Sequence, residues 1–320
     1  MKLGQNWVLN HVGMTVGNRN AVLRHFQSLG VGVSVGPQPL LPHEPGEGSL
    51  MFYRTLQGEP ITNTYQTGGA HNFKDGECQI GDCQLECFPM RPGPGIFLSE
   101  YLEHKGPGIN HICFNSDSVE QDTQLLLSKG CNLMFDAKVN GRTVENYLDS
   151  RTHGDLMISL RPPATEWEIA WKENNEAHPL VNDWRFIGVG LAVNSVSEAA
   201  SYYASLGFEP IDEPSVDTSL AMQRQGIQVG PLVFEFCQPV GKHSYCGDAL
   251  NRRGEGVFDL IFQVKNLAEE TARLESHGLK KIAGTEEQSA CFDTRAEGNT
   301  LLRLVAQATT STDNRLNPDN

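Results

Sequence analysis

The stretch Val8-Leu9-Asn10-His11-Val12-Gly13-Met14-Thr15-Val16 decides the fold, because it is the first of four copies of one pattern. Each copy opens with a short apolar strand, continues into a helical stretch and reaches a Gly 19 residues after one particular strand position. The pairs of strand position and Gly are His11 and Gly30, His111 and Gly130, Gly188 and Gly207, and Asp259 and Gly278. A constant interval repeated four times indicates four copies of one supersecondary unit.

Each copy also predicts the same local structure. The Gly follows a helical stretch, where a left-handed residue at C′ ends a helix. In the third copy the helix is expected over roughly 195–206, with Ser195 as its N-cap. Apolar segments broken by turn residues follow every Gly and predict antiparallel strands. The unit is therefore βαβββ, and the fold class is α+β.

Each unit closes with a strand in which one polar residue stands between apolar neighbours. These polar residues are Glu86, Ser159, Glu235 and Arg303. From His11 to Glu86 is 75 residues (86 − 11), whereas from His111 to Ser159 is 48 (159 − 111). The first unit therefore contains an insertion of roughly 30 residues within 35–80. For so long a segment, rich in Gly and Pro, we expect a functional lid.

The overall composition restricts the class of protein. At 320 residues the chain can form two ordinary domains, and 20% charged with 39% apolar residues is typical of a globular protein. A net charge of −14 disfavours a nucleic-acid partner, and no apolar run reaches the length of a membrane span. Strand residues begin close to Met1, so we expect no signal peptide and a cytoplasmic location. The eight Cys residues lack zinc-type spacing and are expected to be buried and reduced.

Three residues of the first half predict a metal site. His11 and His111 occupy the same position in equivalent strands, so pairing of the two units aims both side chains into one cavity. Glu86 stands on the closing strand of the first unit. A single His in an apolar strand is more often a core residue. Two at one repeat position, with an isolated Glu, favour a divalent transition metal with open coordination positions.

The four βαβββ units, the strand around His11 and the segment Gly106-Pro107-Gly108-Ile109-Asn110-His111-Ile112-Cys113-Phe114 resemble the vicinal oxygen chelate superfamily. That superfamily includes glyoxalase I, bleomycin-resistance protein, methylmalonyl-CoA epimerase and extradiol dioxygenases. The resemblance covers about 7–308 and implies that the units pair into two cup-shaped mixed sheets. It also implies that metal ligands come from the first and last strands of each unit in a pair.

Carried over to this chain, the four ligand positions of the first half are His11, Glu86, His111 and Ser159. Ser159 departs from the pattern, since bacterial glyoxalase I and the epimerases have a Glu there that acts as ligand and base. The remaining set matches the facial triad of extradiol dioxygenases, although those enzymes usually take the carboxylate from the second unit and keep the metal in the C-terminal half. The expected cofactor is one divalent metal: Fe, Mn, Zn, Co or Ni.

The second half has Gly188, Glu235, Asp259 and Arg303 at the four equivalent positions. A Gly supplies no ligand, and we expect the Arg303 guanidinium to neutralise the two carboxylates where a metal would otherwise bind. The predicted organisation is a module pair with the metal site over 1–165, a linker over 166–183, a metal-free module pair over 184–308 and a disordered tail over 309–320.

Proton transfer at such a metal needs a base, and Ser159 cannot serve. The candidate catalytic residues are His71 and Tyr65 in the inserted segment and Asp155, which we expect in the strand leading to Ser159, on its face. Arg54 and His43 are the candidate substrate-binding residues. For each of these residues the plain alternative is a solvated surface position.

Three functions remain open on the sequence alone. The first is a metal-dependent isomerase, epimerase or lyase of glyoxalase type, which stabilises an enolate of a small oxygenated substrate by Lewis-acid chelation. The second is an Fe(II) ring-cleaving dioxygenase, and the third is a non-catalytic ligand-binding protein. The expected partner is a small molecule, and the chain is expected to be a monomer or a homodimer.

Overall fold

The computed structural model describes residues 3–35, 46–53, 60–67, 77–93, 96–241, 244–285 and 288–307. Each half of the chain forms one mixed β-sheet with its own helices, so the fold class is α+β as predicted. The predicted tail, 309–320, lies outside the described residues.

The first half contains the following strands and helices in chain order: β1 (Val8–Val16), α1 (Arg19–Ser28), β2 (Val33–Val35), β3 (Gly46–Tyr53), β4 (Pro60–Thr67), β5 (Glu77–Ile80), β6 (Cys83–Pro89), α2 (Phe97–Lys105), β7 (Gly108–Asn115), α3 (Val119–Ser128), β8 (Asn132–Val139), β9 (Arg142–Asp149) and β10 (Met157–Arg161). Helix α4 (Glu166–Glu176) follows in the predicted linker, and Thr165 caps it.

The ten strands of the first half form one sheet in the order β2-β5-β6-β1-β7-β10-β9-β8-β3-β4. The opening strands β1 and β7 pair antiparallel at the junction of the two units. Each opening strand also pairs in parallel with the closing strand of its own unit, β6 or β10. Four strands that bear site residues are therefore adjacent in the middle of the sheet.

The described parts of the insertion in the first unit are regular strands, whereas its composition predicts an irregular segment. Its described parts, β3 and β4, form an antiparallel hairpin. This hairpin pairs with β8 and so extends the sheet at the far edge of the second unit. The edge strand of a sheet has unpaired main-chain N–H and C=O groups that any extended segment can pair with. Here β3, a segment of the first unit, pairs with β8 of the second unit. The remainder of the insertion lies outside the described residues.

The second half repeats the plan without an insertion. Its strands and helices are β11 (Arg185–Ala192), α5 (Val196–Leu206), β12 (Glu209–Pro210), β13 (Ser215–Asp217), β14 (Met222–Val229), β15 (Leu232–Pro239), α6 (Tyr245–Arg253), β16 (Gly256–Val264), α7 (Leu267–Ser276), β17 (Lys281–Ala283), β18 (Ser289–Phe292), α8 (Arg295–Gly298) and β19 (Leu301–Ala306). The sheet order is β12-β14-β15-β11-β16-β19-β18-β17, with β13 paired to β14.

The local predictions from the repeat hold in the structure. Gly30, Gly130, Gly207 and Gly278 all have positive φ after their helices, as a left-handed helix end requires. Helix α5 begins after Ser195, whose side chain accepts a hydrogen bond from the Glu198 amide. All eight Cys residues are buried and none forms a disulfide. Among the described helices, none combines the length and apolar character that a membrane span requires.

Candidate metal centre

The alternation of side chains along β1 separates the core from the site. Val12, Met14 and Val16 are completely buried in the main apolar core. His11 and Gly13 belong to the other set of alternate positions and face the opposite side of the sheet. We call this side the site face of the first sheet. It is the face on which His11 meets side chains from β6 and β7.

Three predicted ligand atoms converge on the site face. His11 Nε2 lies 2.9 Å from Glu86 Oε2 and 3.2 Å from His111 Nε2. All three residues are buried, with His11 and Glu86 only 3% exposed and His111 fully enclosed. One nitrogen or oxygen of each residue lies within 4.8 Å of the others, which is a separation that a single ion can span.

Two Asn side chains fix the tautomers of the two imidazoles. Asn10 Oδ1 lies 2.8 Å from His11 Nδ1, and Asn110 Oδ1 lies 2.7 Å from His111 Nδ1. The Asn10 amide nitrogen donates to the Glu168 carboxylate, so its oxygen must be the atom that faces the ring. Each Nδ1 therefore donates a hydrogen, and each Nε2 keeps a lone pair directed into the site.

The electrostatics of this arrangement favour a cation. His11 Nε2 lies within hydrogen-bond distance of both His111 Nε2 and Glu86 Oε2, and in the neutral tautomers these electron-rich atoms repel unless a proton or a metal ion lies between them. Imidazole nitrogen and carboxylate oxygen together suit a divalent transition metal. The residues present therefore fit the metal that the fold family implies.

The His111 ring is held between a glycine and aromatic side chains. A Cβ atom on Gly13 would lie 1.8 Å from His111 Cε1, so the ring occupies the space that any other residue would fill. Tyr147 stacks on the same ring with centroids 4.4 Å apart, and Phe88 lies at 5.9 Å. Burial raises the pKa of Tyr147 well above its ordinary value, so its hydroxyl stays neutral at physiological pH. This packing fixes the ring and keeps water from that side of the site.

Ser159 faces a carboxylate that the repeat pattern did not identify. Its hydroxyl donates to Glu145 Oε1 at 3.1 Å, and Glu145 belongs to β9 rather than to an opening or closing strand. Glu145, Cys113 and His11 form a second group of possible ligands within 4.8 Å. Burial, and then the Glu145 charge, raise the pKa of Cys113 above its ordinary value.

The sequence prediction for Asp155 is wrong in its placement. Strand β10 begins at Met157, and Asp155 lies before it in a turn with φ of 44°. Its carboxylate pairs with Lys105 on α2 and not with the site residues. Tyr65 lies on β4, but its side chain is outside the described part of the structure, as are His43, Arg54 and His71 altogether. Catalytic or substrate-binding roles for those four residues stay predictions.

Linker helix α4 also contributes to the site. Glu168 on this helix accepts from Asn10 and lies 3.5 Å from Arg161, while Lys172 donates to the Asn10 carbonyl. The positive charges of Arg161 and Lys172 more than offset the effect of burial, and the pKa of Glu168 is lowered. Asn10 thus connects the His11 ring to a charged network on the linker.

In the second half, the predicted ion pairs are present. Arg303 Nη1 lies 2.6 Å from Glu235 Oε1, and Arg303 Nε lies 2.8 Å from Asp259 Oδ2. Burial alone would raise the pKa of Glu235, but Arg303 and Arg224 hold it below its ordinary value. For Asp259, burial outweighs Arg303 and the pKa is raised. The guanidinium therefore lies between the two carboxylates. This place is equivalent to the point in the first half at which the three ligand atoms converge.

The fold was compared with protein families and solved structures. No family model matches the chain. A mutant of 4-hydroxymandelate synthase from Streptomyces coelicolor is similar over 96% of this chain and 94% of that chain, with 12% identity and a TM-score of 0.58. Methylmalonyl-CoA epimerase from Mycobacterium tuberculosis matches 39% of this chain and 88% of that chain, with 21% identity and a TM-score of 0.35.

The first of these similarities extends over both halves, as the two sheets built from repeated βαβββ units require. The expectation drawn from the four repeats is confirmed at the level of fold: this chain has an α+β fold of two mixed sheets, similar to the fold of 4-hydroxymandelate synthase.

Proposed function

We propose that the chain is an enzyme that binds one divalent metal through His11, Glu86 and His111 and acts as an isomerase, epimerase or lyase on a small oxygenated substrate. The observation that supports this most is the convergence of three ligand atoms: His11 Nε2 lies 2.9 Å from Glu86 Oε2 and 3.2 Å from His111 Nε2, and one donor atom of each residue lies within 4.8 Å of the others. In this proposal the second half binds no metal, because the Arg303 guanidinium already neutralises Glu235 and Asp259.

When bound, the metal would supply Lewis-acid stabilisation of negative charge on substrate oxygens. The chain's own residues do the remaining work. Asn10 and Asn110 hold the two imidazoles in the ligating tautomer. Tyr147 and Phe88 pack against His111 and exclude water from its side of the site. Ser159 offers a hydroxyl that is already hydrogen-bonded to Glu145, a polar pair suited to orienting a substrate.

The test begins with the metal. Protein purified without added metal is subjected to elemental analysis, and the measurement is repeated on His11→Ala. We expect about one transition metal per chain in the wild type and its loss in the variant, since His11 contacts both other ligands. Equal metal content in the two proteins would show that the site is elsewhere.

The reaction class is tested with the metal-loaded enzyme in D2O. Small 2-hydroxy and 2-oxo acids, and their thioesters, are incubated with the protein, and exchange of the C–H next to the carbonyl is followed by NMR. Exchange without oxygen consumption, abolished in His111→Ala, supports the proposal. If the metal-loaded wild type shows no exchange and no turnover, that result would favour a ligand-binding role.

A second function is favoured by the ligand types. Two His and one carboxylate with open positions form the set used by non-haem Fe(II) oxygenases. Phe97, Phe135 and Tyr147 pack together beside His111, and such a surface suits an aromatic ring. Iron in the purified protein, with oxygen uptake on addition of a catechol, would favour a ring-cleaving dioxygenase. Zinc, nickel, cobalt or manganese without oxygen uptake favours the first proposal.

A further inference from the structure

Ser159 stands at the fourth ligand position, yet its hydroxyl points to a carboxylate. Ser159 Oγ donates to Glu145 Oε1 at 3.1 Å, and Ser159 itself is completely buried. A hydroxyl is a weak ligand for a divalent cation, whereas a carboxylate oxygen is a common one. At this place in the fold, the strong donor is therefore Glu145 on the neighbouring strand β9.

Glu145 also lies close to one of the proposed metal ligands, His11. A carboxylate oxygen of Glu145, a ring nitrogen of His11 and the sulfur of Cys113 lie within 4.8 Å of one another. The other candidate group, His11, Glu86 and His111, satisfies the same limit and shares His11. Glu145 is the carboxylate donor that the second group offers beside His11.

The charge of the site is consistent with a second carboxylate. Two neutral imidazoles and Glu86 place a single negative charge against a divalent ion. Glu145 would bring the total to two. Arg161 Nε lies 3.8 Å from Glu145 Oε2, which is longer than a hydrogen bond, and Arg161 also lies 3.5 Å from Glu168. Its charge is thus shared between two carboxylates.

The second half provides an internal comparison. Ser159 pairs with Tyr147 across β9 and β10, and Glu145 stands two residues before Tyr147. Arg303 pairs with Cys291 across β18 and β19, and Ser289 stands two residues before Cys291. Glu145 and Ser289 therefore stand at equivalent positions. The half with the two His residues has a carboxylate there, and the half with Arg303 has a hydroxyl.

We propose that Glu145 is the fourth protein ligand of the metal, supplied from β9 where the closing strand has Ser159 instead of a carboxylate. This inference rests on the proposed function, because it assumes a metal at His11, Glu86 and His111. It assigns Ser159 the role of orienting Glu145 through its hydroxyl.

The experiment is a Co2+ titration of metal-depleted protein. Binding is measured by calorimetry and by the visible absorption of the bound ion. Glu145→Gln is compared with wild type and with Glu103→Gln. The second variant is the control, because it makes the same substitution at an exposed position on α2. We expect Glu145→Gln to weaken Co2+ binding by about 10-fold or more and to shift the absorption bands, because a ligand is lost. Glu103→Gln should leave both unchanged.

Two further variants keep the inference falsifiable. If Glu145→Gln does not fold by circular dichroism, Glu145→Asp tests the same point, because it retains the charge but shortens the reach. Ser159→Ala removes the orienting hydroxyl and should weaken Co2+ binding by less than Glu145→Gln does. Unchanged affinity and unchanged bands in a folded Glu145 variant would overturn the inference.

The two proposals fail in different ways. If His11→Ala loses Co2+ binding while Glu145→Gln binds as wild type does, the fourth-ligand assignment is wrong and the proposed function stands. If His11→Ala binds Co2+ as wild type does, the metal site itself is wrong, and both proposals are overturned together.

Discussion

The two halves of this molecule use one backbone for two different arrangements of charge. In the first half Gly13 pairs with His111 across β1 and β7, and in the second half Gly190 pairs with Asp259 across β11 and β16. Register shifts follow both Gly residues, at Gly13/Met14 and at Gly190/Leu191. The difference between the halves therefore lies in a few side chains and not in the course of the chain.

Those side chains determine which charged groups meet at the centre of each sheet. The first half directs ring nitrogens and Glu86 towards one point, and an Asn before each His fixes the ring. The second half has Ile187 and Phe258 before the equivalent positions, and Arg303 provides the positive charge. If the proposed metal binds in the first half, a fixed guanidinium and an exchangeable metal neutralise buried negative charge at equivalent places in the two halves.

The largest effect is expected from Arg303→Met. This change leaves Glu235 and Asp259 buried without their shared guanidinium, and breaking a buried pair in this way costs about 3–5 kcal/mol. Chemical denaturation at pH 7 measures the loss. The control is Arg252→Met on α6. In the described structure, this exposed side chain forms a hydrogen bond only within its own helix, so its loss should change the free energy of unfolding little. Equal stability of Arg303→Met and wild type would refute the pairing role.

The stability of Arg303→Met should also depend on pH in a different way from that of wild type. In wild type the lowered pKa of Glu235 contributes stability that is present above its unfolded pKa and is lost as the pH falls through the folded pKa. Without Arg303, burial raises the pKa of Asp259 further, so the contribution of Asp259 to stability is lost as the pH rises, while Glu235 keeps Arg224 as its partner. We expect the difference from wild type to shrink between pH 7 and pH 5. A constant difference across this range would contradict the electrostatic explanation.

Next in size is a matched pair of glycine substitutions. Gly13→Ala would place a Cβ 1.8 Å from His111 Cε1, and Gly190→Ala would place one 2.2 Å from Asp259 Oδ1. Overpacking of this kind costs about 1–3 kcal/mol of stability in either half. Only Gly13→Ala should also weaken Co2+ binding, because it displaces a ligand ring. Equal Co2+ affinity in the two variants would show that the halves do not differ as proposed.

The smallest effect is expected from Asn110→Ala. The His111 ring loses the acceptor that fixes its tautomer, and loss of such a partner weakens metal binding by roughly 10-fold. Calorimetric titration with Co2+ measures the change, and Asn132→Ala, at an exposed position of β8, serves as the control. Binding as tight as that of wild type would mean that stacking on Tyr147 alone orients the ring.

Much of the fold could be predicted because its signals are local. The 19-residue interval, the helix-ending Gly residues and the alternation that separates His11 from Val12 all follow from backbone geometry within one unit. The pairing of Arg303 with Glu235 and Asp259 could be predicted because all three stand at repeat positions.

Two features that the sequence did not reveal depend on contacts between residues distant in the chain. The hairpin of β3 and β4 pairs with β8, and nothing within the insertion specifies that partner. Glu145 was overlooked because its relation to Ser159 depends on the register of β9 against β10. The placement of Asp155 in a strand overlooked a local signal, because Gly154 and Asp155 both have positive φ before Met157, and Gly and Asp are residue types that adopt this conformation readily.

The most direct test of the central claim is the number of metal ions bound per chain. Metal-depleted wild type, His111→Ala and Arg303→Met are titrated with Co2+, and the stoichiometry is determined by calorimetry. The account predicts one site in wild type and loss of that site in His111→Ala, because Arg303 already neutralises the second half. Two sites in wild type, or one site that persists in His111→Ala, would contradict it.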